Sequence, residues 1–153
     1  MPGNIEFRHD MELDIVVSRP RWVLDSTVEV MRWYQLHVSY FSGRFREKKD
    51  VVAVHDAFDV HAKVATLWGK YRATLLDTYV RYSVRVGNNP RVRLTMNTSA
   101  ARYRVSAVES PTFDEAVKTI LAARAAAKAD EAAKAEWSLE TAPHSGVGSR
   151  RPE

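Results

Sequence analysis

Residues 51–75 join a continuous apolar run to a long helical stripe. Val51 to Val54 read VVAV, with no polar position, as expected of a strand covered on both faces. Behind it Val60, Val64, Leu67, Trp68, Tyr71 and Leu75 fall at i, i+4, i+7, i+8, i+11 and i+15. That spacing lines one side of a helix of 3.6 residues per turn. A strand needing cover on both faces, followed by a helix with one apolar side, points to a sheet with parallel crossovers.

The flanking sequence continues the alternation. Ile5 and Phe7 alternate with polar neighbours, HDME can turn, and Leu13 to Val17 form a β-branched run, giving two strands. Ser26 and Glu29 have capping-box spacing and open a helix that presents Val30, Tyr34, His37, Val38 and Phe41, with Gly43 as its stop. Val80, Tyr82, Val84 and Val86 alternate with Arg81, Ser83 and Arg85, the pattern of a half-buried strand. Over 90–103, Val92, Leu94 and Met96 allow a strand. Asn89 before Pro90, and the small-residue face of Val92, Met96, Ser99, Ala100 and Tyr103, favour a helix, which is the reading adopted. RVSAVES predicts a strand over 104–109. Thr112 and Glu115 then cap a last helix with Phe113, Ala116, Val117, Ile120 and Leu121 inward. The expected order is β-β-α-β-α-β-α-β-α, an α/β fold with a central mixed sheet flanked by helices. One domain covers 1–126, an Ala-rich helical extension 127–137, and a disordered tail 138–153.

Composition narrows the chemistry. The 153 residues include no cysteine, which removes disulfides, thiolate nucleophiles and zinc–thiolate sites and fits a reducing compartment. The N-terminal MPGNIEFRHDMELD carries acids and no apolar h-region, and no apolar run approaches a bilayer span. The expectation is a soluble, cytoplasmic protein. Charge is uneven. Residues 1–77 hold 11 basic and 11 acidic side chains, 78–108 hold six arginines and no acid, and 109–153 hold 6 basic and 8 acidic. The whole net charge of +4 therefore lies in the central window.

Two features invite a functional reading. In HDAFDVH, residues 55–61, His55, Asp56, Asp59 and His61 have metal-ligand chemistry. Successive strand residues point to opposite faces, however, and Asp59 and His61 would lie about 200° apart in a helical turn, so convergence on one ion is poor. The favoured reading makes Asp59 a helix cap and the segment a contact surface, with no metal and no cofactor. The second feature is the arginine window. Arg81 and Arg85 share one strand face, and Arg91 and Arg93 follow. They make either a solvated rim paired with acids or an anion-binding face for an acidic protein partner or a phosphate-bearing ligand. Nucleic acid is disfavoured, since no aromatics interleave with the arginines. His37 reads as a hydrogen-bonded interior side chain, Trp33 and Trp68 as core, and Trp137 as exposed. No Gly-rich phosphate loop or Ser–His–acid arrangement is visible, so no catalytic residue is assigned.

The element order, the Trp-bearing helix after VVAVHD and the terminal TFDEAVKTIL helix resemble the STAS domain, the family of the anti-sigma-factor antagonists. The likeness covers roughly residues 4–125 and rests on topology and hydrophobic pattern. In signalling members the loop between the third strand and second helix carries a phosphorylatable Ser or Thr. Here the matching positions, His55 to His61, hold neither. Asp56 resembles the acid near that site, and Asp59 stands close to the hydroxyl position. The resemblance implies a non-enzymatic bacterial regulatory module. Its protein partner would meet Asp56, Phe58, Asp59 and His61, with Phe58 as apolar anchor, while homo-oligomerisation stays open. The rival expectation is a small apolar-ligand or lipid-binding protein with a pocket between sheet and helices.

Overall fold

The computed structural model describes residues 3–141. Strands β1 (Asn4–Asp10) and β2 (Ile15–Leu24) form an antiparallel pair. In the turn between them the Asp10 carboxylate accepts from the Leu13 N–H. Helix α1 (Thr27–Arg44) starts where Ser26 Oγ accepts from the Glu29 N–H and the Glu29 carboxylate accepts from the Asp25 N–H. It passes through Gly43 without stopping there. Then follow β3 (Lys49–Val54), β4 (Ala57–Val60), a 3₁₀ turn (Ala62–Val64), α2 (Ala65–Tyr79) and β5 (Val80–Val86). The chain continues through α3 (Pro90–Tyr103), β6 (Val108–Ser110) and α4 (Phe113–Thr141).

All six strands form one mixed sheet in the order β1-β2-β3-β5-β6, with β4 paired to β2. The β2–β3, β2–β4, β3–β5 and β5–β6 pairs are parallel. The expected adjacency of 51–54, 80–86 and the strand before α4 holds. Three boundaries differ. The last strand occupies 108–110 in place of 104–109, because Arg104 takes a left-handed backbone (φ 57°) at the end of α3 and the chain rejoins the sheet only at Val108. Strand β2 runs on through Pro20 to Leu24. The helix expected from Val60 begins at Ala65, because Ala57–Val60 pairs with β2 as a strand.

Side-chain parity divides the interior. Ile15, Val17, Val52, Val54 and Val84 face the start of α4, where Ala116 and Ile120 are fully buried. Val16, Trp22 and Leu24 of β2, with Val51 and Phe58, face the other side and pack with Val30, Trp33, Phe41 and Trp68 of α1 and α2. Leu121, expected inward, is 41% exposed at the edge of the contact. The segment 90–103 is helical as read: Asn89 Oδ1 caps it by accepting from the Arg91 N–H, and Val92, Met96 and Ser99 are its buried residues.

The chain divides into two compact units, the first ending at Leu121 and the second beginning at Ala122. In the second, the described residues continue α4 to Thr141, so the helix passes position 138. Trp137 is 66% exposed. Of the tail expected over 138–153, positions 142–153 lie outside the described residues.

Candidate functional site

The loop after β3 places its four chemistry-bearing residues in different surroundings. The His55 N–H donates to the Val86 carbonyl at 2.8 Å, and its ring turns inward, 6% exposed, with its centroid 4.7 Å from that of Phe58. Asp56 is exposed and lines a cleft of about 580 Å³ with Arg93 and Glu109. Phe58 is 3% exposed and packs against Trp68, with ring centroids 5.5 Å apart. Asp59 accepts from the Val60 N–H and forms an ion pair with Arg91. His61 is exposed, and its Nδ1 accepts from the Lys63 N–H at the 3₁₀ turn.

Two expectations are corrected here. Asp59 caps no helix: it sits in β4, and Val64, at the N-cap position of α2, makes no side-chain cap bond. The capping interaction belongs to His61 at the 3₁₀ turn. Phe58 is no surface anchor. Both follow from one cause. Ala57–Val60 completes a ladder with Arg21–Leu24, so Phe58 and Val60 turn into the core while Ala57 and Asp59 turn out. Asp56, Asp59 and His61 remain at the surface. Among the described residues no group of three or more His, Asp or Glu side chains could hold a metal ion.

The arginines do not form one face. Arg81, at the start of β5, gives two hydrogen bonds to Asp50, from Nε at 3.0 Å and Nη2 at 2.7 Å. Asp50 itself is 1% exposed and also accepts from the Tyr82 N–H. Arg91 pairs with Asp59. Arg93 bonds both carboxylate oxygens of Glu109, at 3.0 and 2.7 Å. Arg85 is 1% exposed, with Nη2 3.4 Å from Glu109 and donating to the Gly87 carbonyl. The Arg93 hydrogen bond, with the Arg85 charge behind it, holds Glu109 below the usual carboxylate range. The parity read from sequence is right, since Arg81, Ser83 and Arg85 oppose Val84. The assumption that a polar parity means a wet face fails, because helices cover both sides of this sheet.

Arg85 instead reaches a cavity of about 40 Å³ between the sheet and α1 and α2, lined also by Trp33, His37, His55, Trp68 and Arg72. His37 Nδ1–H donates to the Trp33 carbonyl at 2.8 Å, so Nε2 is left to accept from the Ser18 hydroxyl at 3.3 Å. Burial pushes the His37 pKa down to about 4. His55 lies well below its ordinary value, first through burial and then through the charges of Arg85 and Arg72. Arg72, 5% exposed, donates through Nη2 to the Ser106 carbonyl at 2.7 Å. Burial, with repulsion from Arg85, lowers its pKa to about 10, so it stays charged at neutral pH. Sequence reading missed Arg72. The available signal was its position, four residues after Trp68 and three before Leu75, on the apolar stripe itself.

No family model matches the chain, and no curated protein does. Among solved structures it is similar to an anti-sigma factor antagonist from Mycobacterium paratuberculosis. The TM-score is 0.57 at 12% identity, over 76% of this chain and 92% of that one. The fold is STAS-like.

Proposed function

We propose that the chain is a non-enzymatic bacterial regulatory module that works by protein–protein contact, through the loop and helix after the third strand. The single observation that carries this reading is the likeness in fold to an anti-sigma factor antagonist along nearly all of that protein's length. The surface offered is Asp56, Asp59 and His61, beside Arg91 and Arg93, whose side chains keep 65% and 48% exposure despite their carboxylate partners. Such half-solvated guanidiniums suit a partner that brings acidic side chains. With neither Ser nor Thr among residues 55–61, contact at this loop needs no phosphate cycle on a hydroxyl. In this reading no helix among the described residues anchors the module, since none is long and apolar enough to cross a membrane.

The test is a pull-down with the full chain from its native host, repeated with the double variant His61→Glu, Arg91→Gln, which removes positive charge from the surface offered to an acidic partner. A stoichiometric protein partner is expected, with at least tenfold weaker capture by the variant at unchanged melting temperature. Capture that ignores the double variant would move the interface elsewhere. Recovery of an apolar small molecule by native mass spectrometry, with no protein partner, would favour the lipid-binding reading.

A further inference from the structure

The cavity beneath α1 and α2 has an unusual lining. Six buried N–H or ring-nitrogen positions around it have no hydrogen-bond partner: Trp33 Nε1, Trp68 Nε1, Arg72 Nη1, Arg85 Nε and Nη1, and His55 Nδ1. Five of the six can only donate. No carboxylate is among the residues lining the cavity, and Glu109 reaches Arg85 only from its far side, at Nη2. Two guanidiniums that cannot shed their protons, 5% and 1% exposed, therefore share one enclosed space. Arg72 has no carboxylate partner among the described residues, and a buried charge without a counter-charge is strongly unfavourable, as is each orphaned donor.

We propose that this cavity is a binding site for a small monovalent anion of chloride size, held between Arg72 and Arg85 with the indole N–H groups of Trp33 and Trp68 as further donors. The volume sets the size class. About 40 Å³ exceeds the roughly 10–15 Å³ that one water centre needs, so an ion with a companion water fits. A phosphate ester or an acyl chain does not. The donor set fixes the sign of the charge, because water would leave the Arg72 charge uncompensated, and Arg85 has only Glu109, which Arg93 shares. The neighbouring imidazoles are consistent with it: His37 and His55 are both held neutral, which limits the positive charge to the two arginines. The site lies between the sheet and α1 and α2 and does not depend on the interaction surface proposed above.

The probe is bromide or chloride exchanged against gluconate at constant ionic strength, gluconate being too large to enter. Melting of the wild-type protein is expected to rise by several degrees across a chloride titration, since a ligand bound only by the folded state stabilises it. A crystal grown in bromide should show an anomalous peak within hydrogen-bond distance of Arg72 Nη1 and the indole nitrogens. Trp33→Phe, which removes one donor and keeps an aromatic ring, should reduce the chloride dependence. Arg72→Met should abolish it, whatever baseline the loss of the Ser106 bond leaves. Superimposable wild-type melting curves in chloride and gluconate, or a cavity holding water alone in the bromide crystal, would overturn the proposal.

Discussion

Ser18 on β2 and His37 on α1 are joined through Oγ and Nε2 at 3.3 Å, a polar contact closed off from solvent on both sides. Burial disfavours the imidazolium here, so His37 is neutral in the folded protein and its Nε2 accepts from the Ser18 hydroxyl. The folded pKa is about 4 against 6.5 unfolded, so below pH 6.5 the unfolded chain binds the extra proton first. Stability is therefore complete above pH 6.5 and is lost as pH falls toward 4. The contribution of this one group is about 3 kcal/mol at 1.36 kcal/mol per unit, and His55 adds in the same direction. Urea unfolding between pH 7 and 4 should show this loss. His37→Phe should flatten the profile, and an equally steep one would refute the assignment.

Phe58→Ala is expected to destabilise by about 3–5 kcal/mol, the usual cost of emptying a buried aromatic site. The ring is 3% exposed and packs on Trp68 and His55. Chemical denaturation decides between this and a surface role, for which stability would stay near wild type.

Two arginine pairs of similar appearance should differ in weight. Arg81→Met removes a two-pronged partner from Asp50, whose side chain is fully buried, and should cost about 1.5–3 kcal/mol. Arg91→Met removes a pair that is open to solvent and should cost under about 1 kcal/mol. Comparable losses in the two variants would contradict the difference in burial.

Gly69 controls how closely α3 approaches α2. A Cβ added there would stand 2.8 Å from Ser99 Cβ, and both helices must shift to admit it. Gly69→Ala should cost about 1–3 kcal/mol through overpacking, despite its better helix propensity. Adding Ser99→Gly should recover part of that loss, and a double-mutant cycle showing strict additivity would rule out the contact.

Periodicity made most of the fold legible. The Trp68 stripe, the Ser26 and Thr112 caps and the VVAV run each report local chemistry that the sheet does not override. What sequence could not show was pairing at a distance. Phe58 and Val60 fit a helix start as well as a strand, and only Trp22 and Leu24, more than thirty residues earlier, settle the matter. Arg85 has the parity of an outward residue, and nothing local records that α2 and α3 cover it. The surface acids of the loop were readable as surface; the enclosed cluster of Arg72, Arg85 and the two indoles was not, since its members come from three separated elements.

Pro20 falls between the last β2–β3 pair, Ser18 with Ala53, and the first β2–β4 pair, Arg21 with Ala57. The residue without an N–H thus stands opposite the interruption between the two partners, where the parallel ladder is already open. Strand β3 is held from both sides, by β2 and β5, whereas β4 is held by β2 alone. In amide exchange the two halves should therefore part company: Val51 to Val54 protected up to the global unfolding free energy, Phe58 to Val60 released earlier by local opening. A break spanning Arg19 and Pro20 on β2 would then divide a single sheet into a slow and a fast foldon, with the loop that carries Asp56 at the boundary.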